Sequence, residues 1–268
     1  MTAIQLAHPA PGDGVLSRQD EGGVATVTLN RPAQFNALSQ ALLAELESVV
    51  ATIALDPMVR VVVLAGAGKA FCAGHDLKEI HESANPHIAR DVFASSGRLM
   101  LALTRLPQPV IARVHGAAYA AGCQLVAQCD LAVAGTEARF ATSGISYGIF
   151  CNTPGVPLAR NVSRKQAMEM LLTGEPIDAA AALARGLVNR VVPADRLDAE
   201  IGALAQSIIA KSPAVVGAGK RVFYEQAEHG LVDAYRIATA AMADCVASED
   251  GREGIAAFAE KRKPNWKF

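Results

Sequence analysis

The stretch that most constrains this chain covers residues 114–130 and reads VHGAAYAAGCQLVAQCD. Its first half is almost entirely glycine and alanine, which let another backbone or a ligand approach closely. Its second half carries apolar residues at helical spacing. Small residues that lead into a helix can direct free backbone N–H groups at an anion or an oxyanion. On this stretch alone, a tightly packed core helix beside a sheet explains the pattern better than a ligand site.

A second stretch rich in small residues lies upstream, at residues 66–77, and directly follows a predicted buried strand at 59–65. Each of the two loops therefore leaves a strand and enters a predicted helix, and each can offer a backbone N–H. Two such donors that converge form an oxyanion hole, which stabilises the negative charge that develops on the oxygen of an attacked thioester. Neither loop matches a nucleotide-binding glycine pattern, and no nucleophile elbow of a hydrolase is present.

Composition argues against several classes of function. The 268 residues, 51% of them hydrophobic, suffice for a large core, and the net charge of −1 gives no basic field for nucleic acid. The five cysteines are odd in number and lack C-x-x-C spacing, which fits buried thiols in a reducing compartment better than a zinc site or disulfides. No secretory signal or membrane span is recognisable. We therefore expect a cytoplasmic protein without a metal and without a nucleic-acid or membrane partner.

The order of the predicted elements indicates an α/β core followed by a helical region. Residues 1–14 are rich in proline and glycine and are predicted to form a flexible leader. Strands and helices alternate over residues 15–195, with glycines in the loops that leave the strands, so a site is expected at those loops. Residues 196–268 are predicted to be helical.

The individual elements follow from periodicity and capping residues. The predicted strands are 15–20, 24–30, 59–65, 110–114, 131–134 and 187–192. The predicted helices of the core include 40–54, 77–82 and 88–106. The predicted N-caps are Ser39, Ser163 and Asp178.

Several motifs, in a fixed order along the chain, carry a resemblance to a known family. They are VATVTLNRP at 24–32, NAL at 36–38, FCAGHDL at 71–77, VHG through GCQL at 114–125, CD at 129–130 and AFAEKRK at 257–263. Together they resemble the crotonase (enoyl-CoA hydratase/isomerase) superfamily, and most of all its enoyl-CoA hydratase domain-containing subgroup. The resemblance implies an α/β fold, a crotonase-like spiral of strand-strand-helix units with a helical C-terminal trimerisation region. It also implies a coenzyme A thioester as substrate or ligand, no covalently bound cofactor, a homotrimer or dimer of trimers, and a place in fatty acid metabolism.

The resemblance also assigns residues to a site. His75 and Ala121 are expected to supply the two backbone N–H groups of an oxyanion hole. The residues expected along the coenzyme are Ala37, Ala73, Asp76 and Leu77. Phe258 and Lys261 are expected to cover its adenine and 3′-phosphate in a neighbouring subunit. Without the resemblance, the basic residues at 261–263 would be interpreted as a solvated helix end that favours cations.

The two acids with which hydratases of this family deprotonate water are absent. The first falls at Gln124 and the second at Gly144. A carboxylate can take a proton from water, whereas an amide can only orient the water, and each such group typically contributes about 10²–10⁴-fold to the rate. We therefore expect weak hydration, which Gln124→Glu together with Gly144→Glu should raise if the scaffold is otherwise that of a hydratase. The acid of related dienoyl isomerases falls near Asn152, which is also neutral.

Two classes of function stay open. One is an enzyme of the lyase or isomerase type that needs mainly the oxyanion hole, either a weak hydratase or a decarboxylase of malonyl-type CoA esters. The other is a non-catalytic protein that binds acyl-CoA and acts in regulation. Possible replacements for the missing acids are His115, Tyr147, Cys151 and Asn152. Of these, His115 is more typical of a core histidine whose hydrogen bonds are satisfied.

Overall fold

The computed structural model of the protein describes residues 14–267, so the predicted leader lies outside the described residues except for Gly14. A six-stranded sheet runs through the molecule. In spatial order it contains β1 (Leu16–Glu21), β2 (Val24–Leu29), β3 (Val61–Gly66), β4 (Val110–Val114), β6 (Leu131–Gly135) and β9 (Arg190–Val192). The β1–β2 pair is antiparallel and the other four pairs are parallel. A smaller sheet contains β5 (Ala117–Tyr119), β7 (Arg139–Ala141) and β8 (Ile177–Asp178).

The helices alternate with the strands in the first part of the chain and follow one another at its end. They are α1 (Gln40–Ala54), α2 (Leu77–Glu82), α3 (Ile88–Arg105), α4 (Ala121–Gln128), α5 (Asn152–Asn161), α6 (Arg164–Thr173), α7 (Ala179–Ala184), α8 (Leu197–Ile209), α9 (Pro213–Gln226), α10 (Leu231–Ala247) and α11 (Glu249–Ala259). The predicted caps are confirmed, because the side chains of Ser39, Ser163 and Asp178 each accept a hydrogen bond from a backbone N–H in the first turn.

Both faces of the central strands of the main sheet are buried, as expected for parallel strands covered by helices on both sides. All six residues of β2 and of β3 are buried. The larger core on one face includes residues of α1, α3 and α4. On the other face, α8 packs through Leu197 and Ile201 against strand residues that include Val61 and Val63. The first helix of the predicted C-terminal region thus belongs to the packing of the sheet.

The smaller sheet and α5 were not predicted, and both omissions have a physical reason. The strands β5, β7 and β8 are two or three residues long, too short for a two-residue alternation to be recognised. Helix α5 contains Pro154, Gly155 and Pro157, which sequence patterns assign to turns. Tertiary contacts therefore decide these elements rather than local preference.

A partly buried group of polar side chains fixes α9 to the core. Lys220 Nζ lies 2.6 Å from Asp130 Oδ2, and the Tyr224 hydroxyl donates to Asp130 Oδ1 over 2.8 Å. The backbone N–H of Val110 donates to the same carboxylate.

Within residues 14–267 no single helix is long and apolar enough to cross a membrane, although one pair bent by 101°, Ala194–Ile209 with Pro213–Gln226, reaches the length and composition of a broken span.

Candidate active site

Backbone hydrogen bonds bring the two glycine-rich loops side by side. The N–H of Cys72 donates to the carbonyl of Ala117, and the N–H of Tyr119 donates to the carbonyl of Cys72, over 3.1 and 2.9 Å. Cys72 of the first loop is thereby paired with Ala118 of β5 in the smaller sheet. Two residues later, a Cβ at Gly74 would lie only 3.3 Å from the backbone nitrogen of Ala121, and Gly74 has a φ of +105°. A glycine is required at this crossing for both reasons.

The start of α4 is set by a strained residue. Ala120 has φ 48° and ψ −114°, a region that non-glycine residues rarely adopt. Its N–H donates to the carbonyl of Ala141 over 2.8 Å, which holds the turn in place. Behind the turn, a Cβ at Gly122 would lie 2.0 Å from the carbonyl oxygen of Cys72, so α4 lies directly on the first loop. The strained turn thus places the N–H of Ala121 at the first position of a helix.

Two backbone donors are left without acceptors at this crossing. Ala121 is the first residue of α4, where the N–H has no partner within the helix. On the other loop, the residues on both sides of His75 are bonded to Leu38, through Leu38 N–H to the Gly74 carbonyl and Asp76 N–H to the Leu38 carbonyl. Within the described residues neither His75 N–H nor Ala121 N–H donates a hydrogen bond. Neighbouring free donors of this kind can stabilise a negatively charged oxygen.

Both residues line one cavity of about 270 Å³. The other residues that line it are Ala73, Leu77, Phe93, Ala120, Ser143, Gly144, Tyr147, Ile149, Phe150, Cys151, Asn152, Thr153 and Pro154. No aspartate or glutamate is among the described residues that line this cavity. Its titratable side chains are those of His75, Tyr147 and Cys151, and the tyrosine is largely exposed.

Two titratable groups of the cavity, His75 and Cys151, are neutral near pH 7. Burial lowers the pKa of His75 to about 4, so its imidazole is uncharged. Burial raises the pKa of the Cys151 thiol, which therefore stays protonated. Asn152 begins α5 and donates through Nδ2 to the carbonyl of Phe150 over 3.3 Å. The site can therefore polarise a bound carbonyl, but it holds no carboxylate to accept a proton.

The structure places Gln124 and Gly144, where the resemblance leads one to expect acids, in different surroundings. Gln124 lies on α4 and is buried, does not line the cavity, and its Oε1 has no hydrogen-bond partner among residues 14–267. Gly144 does line the cavity, but a Cβ there would lie 2.5 Å from the carbonyl oxygen of Ile149 and 2.8 Å from Cys151 Sγ. The tight turn around Gly144 therefore leaves no room for a side chain.

A profile described as Enoyl-CoA hydratase/isomerase matches residues 19–268 of the sequence. The chain belongs to this family. The predicted resemblance and fold class are thereby confirmed. The chain is 46% identical over 248 residues to Enoyl-CoA hydratase domain-containing protein 3, mitochondrial, of Xenopus laevis, covering 92% of this chain and 84% of that protein. Its identity to the human protein of the same name is also 46%, over 91% of this chain and 80% of that protein.

Solved structures of family members have the same fold. The crystal structure of an enoyl-CoA hydratase from Mycobacterium smegmatis has a TM-score of 0.92 and 54% identity, covering 95% of this chain and 99% of that chain. The crystal structure of human enoyl Coenzyme A hydratase domain-containing protein 3 has a TM-score of 0.91 and 44% identity, covering 94% and 100%.

The names of these relatives contradict the cytoplasmic location that the sequence predicts. The proteins from Xenopus laevis, mouse and human that match over more than nine-tenths of this chain are all named as mitochondrial. The expectation relied on the absence of a recognisable secretory signal and on cysteine usage. Reduced thiols do not distinguish the cytoplasm from other reducing compartments, which is why that reasoning failed.

The family residues expected along the coenzyme fall into two places. Ala73 and Leu77 line the cavity. Asp76 begins α2, where its carboxylate accepts from the N–H of Glu79 and lies 2.9 Å from Arg31 Nη2. Arg31 also donates to the carbonyl of Ala37 over 2.5 Å. Arg31 belongs to the motif at residues 24–32, but the sequence predicts no role for it. The reason is that Asp76, with which it forms an ion pair, lies far away along the chain.

The two C-terminal residues of the family pattern lie away from this cavity in the single chain. Phe258 is on α11, is 87% exposed, and borders a different, mostly apolar groove of about 520 Å³. Lys261 follows the end of α11 with a φ of 53°. A contribution of either residue to a neighbouring subunit's site stays a prediction.

His115 is also outside the cavity. Its Nε2 lies 2.9 Å from the carbonyl oxygen of Gly68, and its Nδ1 lies 3.3 Å from Arg113 Nη1. Phe93, Ile149 and Phe150 do line the cavity, and as apolar side chains they give no chemical signal in the sequence. Within the described part of the chain, no group of three or more histidine, cysteine, aspartate or glutamate side chains is arranged to hold a metal ion.

Proposed function

We propose that the protein binds an acyl-CoA thioester and polarises its carbonyl between the backbone N–H groups of His75 and Ala121, which stabilises a thioester enolate. The observation that carries this proposal is the pair of donors without acceptors on the wall of one cavity. Family membership supports a CoA thioester as the ligand. The acyl group would enter a cavity whose walls are mainly apolar, and the neutral pocket would not oppose an uncharged chain.

Ordinary hydration is expected to be weak, because no carboxylate of the described residues lines the cavity to deprotonate water. The same absence supports a second candidate, the decarboxylation of a malonyl-type thioester. There the bond between C2 and the carboxylate breaks, its electron pair forms the enolate, CO₂ leaves, and the enolate takes a proton from solvent, so the protein need not supply a base. A protein that binds acyl-CoA without chemistry is the remaining alternative.

The rest of the ligand site follows the family pattern. The coenzyme would pass Ala37, Ala73, Asp76 and Leu77, and the ion pair of Arg31 with Asp76 supports that path by holding the loop next to the cavity. Phe258 and Lys261 would cover the coenzyme from a neighbouring subunit of a homotrimer or a dimer of trimers. The exposed apolar surface of the C-terminal helices supports such an assembly.

Three measurements on the purified protein test the proposal. Isothermal titration calorimetry with butyryl-CoA should show binding, and absence of binding would contradict the acyl-CoA site altogether. The conjugated thioester absorbance of crotonyl-CoA should decay far more slowly than the turnover of about 1–10³ s⁻¹ usual for enzymes, and decay in that range would contradict the weak-hydration expectation. Mass spectrometry after incubation with malonyl-CoA and methylmalonyl-CoA separates a decarboxylase, which forms acetyl- or propionyl-CoA, from a binder that consumes neither.

A further inference from the structure

The segment that follows β2, residues 31–38, contains two successive residues with a left-handed backbone. Phe35 has a φ of 49° and Asn36 has a φ of 57°. Residues other than glycine rarely adopt this region, and two in succession persist only where the surrounding structure holds them. The N–H of Asn36 closes the segment, the 31–38 turn, by donating to the carbonyl of Arg31 over 2.9 Å.

The side chain of Asn36 joins the 31–38 turn to the first glycine-rich loop. It is fully buried, and its Nδ2 donates to the carbonyls of Ala67 and Ala70, each over 2.8 Å. Its Oδ1 accepts from the N–H of Arg31 over 2.9 Å. Burying an amide is unfavourable unless its hydrogen bonds are made, so these bonds hold both carbonyls of the loop against Asn36.

The backbone of the 31–38 turn extends this contact as far as one of the two proposed donors. The N–H of Ala73 donates to the carbonyl of Phe35 over 3.0 Å. Leu38 and His75 then form a parallel bridge, in which Leu38 bonds to the residues on both sides of His75. In a parallel pair of this kind, the N–H of the residue between the two bonded neighbours points away from the partner segment. The turn therefore sets the direction of the His75 N–H.

The two proposed donors are thus held by different parts of the chain. The strained residue Ala120 sets the position of the Ala121 N–H, whereas the 31–38 turn sets that of the His75 N–H. Both can bond to one oxygen only if their separation and directions match it, and a displacement of about 1 Å in an active site can cost about 10²-fold in rate. The contact between the turn and the loop therefore bears directly on the chemistry.

We propose that Asn36 is a positioning residue for the His75 donor. Its amide holds the first loop against the 31–38 turn, so that the N–H groups of His75 and Ala121 converge on the same carbonyl oxygen. Asn36 itself touches no ligand, because it is fully buried and does not line the cavity. This inference rests on the proposed function, since it requires an acyl-CoA carbonyl between the two donors.

The test measures how strongly the donors polarise a bound carbonyl. Saturating 2,4-hexadienoyl-CoA is added to the wild type, Asn36→Gly and Asn36→Asp, and difference spectra record the red shift of its thioester absorbance. Asn36→Gly keeps the left-handed backbone without strain but loses the amide, and Asn36→Asp keeps the shape of the side chain but can donate at most one hydrogen bond. The matched control is Asn161→Gly in α5, since Asn161 Nδ2 also donates to two carbonyls, those of Ala127 and Pro157, each over 2.8 Å.

The wild type and Asn161→Gly should show the same red shift. Asn36→Gly and Asn36→Asp should lose at least about half of it, because the His75 N–H no longer points at the carbonyl. Thermal denaturation should show lower stability in all three variants, so a merely structural role of Asn36 would change the stability and leave the red shift intact.

A full red shift in folded Asn36→Gly, or an equal loss in Asn161→Gly, overturns the positioning role and leaves the oxyanion hole standing. If Asn36→Gly does not fold, as judged by circular dichroism, a full red shift in Asn36→Asp overturns it in the same way. A wild type that does not bind the ligand, or binds it without a red shift, contradicts the proposed function itself.

Discussion

At the scale of single residues, His75 places a neutral imidazole in a cavity that no carboxylate of the described residues lines. Because burial lowers the pKa of His75 from the usual 6.5 to about 4 in the folded protein, the unfolded chain binds a proton between these values that the native state does not bind. Stability therefore rises with pH in this window and falls as the pH is lowered through it. The effect is opposite in sign to that of a histidine stabilised by a carboxylate partner.

We accordingly expect the unfolding free energy of the wild type to fall by about 2 kcal/mol more than that of His75→Phe when the pH is lowered from 7 to 4.5. Other groups titrate in this range, but they do so in both proteins and cancel in the difference. Urea denaturation at the two pH values measures it. The same pH dependence in wild type and variant would show that His75 is as easily protonated in the folded protein as in the unfolded chain.

Gly144 is a second position where the structure changes the interpretation of a residue. The family resemblance presents it as the position of an absent acid, whereas the structure gives it a steric role, since a Cβ there meets the Ile149 carbonyl oxygen at 2.5 Å. Gly144→Ala should therefore lower the unfolding free energy by about 1–3 kcal/mol. Gly97→Ala is the control, because a Cβ at this position in α3 has no atom within 4 Å and alanine is favoured in a helix.

Thermal denaturation compares the two variants. Equal stability of Gly144→Ala and Gly97→Ala would mean that the turn around Gly144 adjusts without strain. In that case Gln124→Glu with Gly144→Glu could still restore hydration. If Gly144→Ala loses stability as expected, Gln124→Glu with Gly144→Glu should not act as a hydratase. A side chain at position 144 would displace the turn, so the carboxylate of the new glutamate would not face the cavity.

At the scale of elements, the proposed function depends on the first residue of α4. A proline is tolerated at the first position of a helix, where its missing N–H has no intrahelical partner. Ala121→Pro should therefore remove one of the two donors and leave α4 in place, while Ala121→Gly keeps the donor. A conjugated dienoyl-CoA bound to the wild type should show a red-shifted thioester absorbance, because the donors draw electron density towards the carbonyl oxygen.

Difference spectra of bound 2,4-hexadienoyl-CoA check this expectation. Ala121→Pro should lose most of the red shift and Ala121→Gly should retain it, with the far-ultraviolet circular dichroism of both close to that of the wild type. A full red shift in the folded proline variant would mean that the Ala121 N–H does not contact the carbonyl.

The same elements show what the sequence can and cannot predict. The bounds predicted for α1, α2 and β4 equal the observed ones, and those for α3 differ by one residue. In the long helices α1 and α3 the apolar periodicity extends over enough residues to be unambiguous. The two loops are recognisable from their small residues alone. Their contact through β5 is not, because a three-residue strand is defined by its partner, and the separation of Gln124 from the cavity depends on how α4 lies against Cys72.

At the scale of the whole molecule, the C-terminal helices expose an apolar surface that a monomer would leave in water. Helices α9 and α10 contain no buried residue in the single chain. The large apolar side chains exposed on α9, α10 and α11 are those of Phe223, Leu231, Val232, Tyr235, Met242, Val246, Ile255 and Phe258. Extended apolar surface of this kind on a folded chain is typical of an interface with another protein.

The wild type should therefore elute from size-exclusion chromatography with light scattering at three or six times the chain mass of 27.9 kDa. Val232→Asp with Tyr235→Asp places two charges on α10 and should shift the mass towards that of one chain, because an unpaired charge at an interface is strongly unfavourable. The matched control is Leu55→Asp with Met58→Asp, since Leu55 and Met58 are 86% and 78% exposed and Val232 and Tyr235 are 85% and 68% exposed. A monomeric wild type, or equal dissociation by both double variants, would remove the reason to place the assembly on the C-terminal helices. Either result would also contradict the expectation that Phe258 and Lys261 reach the coenzyme from a neighbouring subunit.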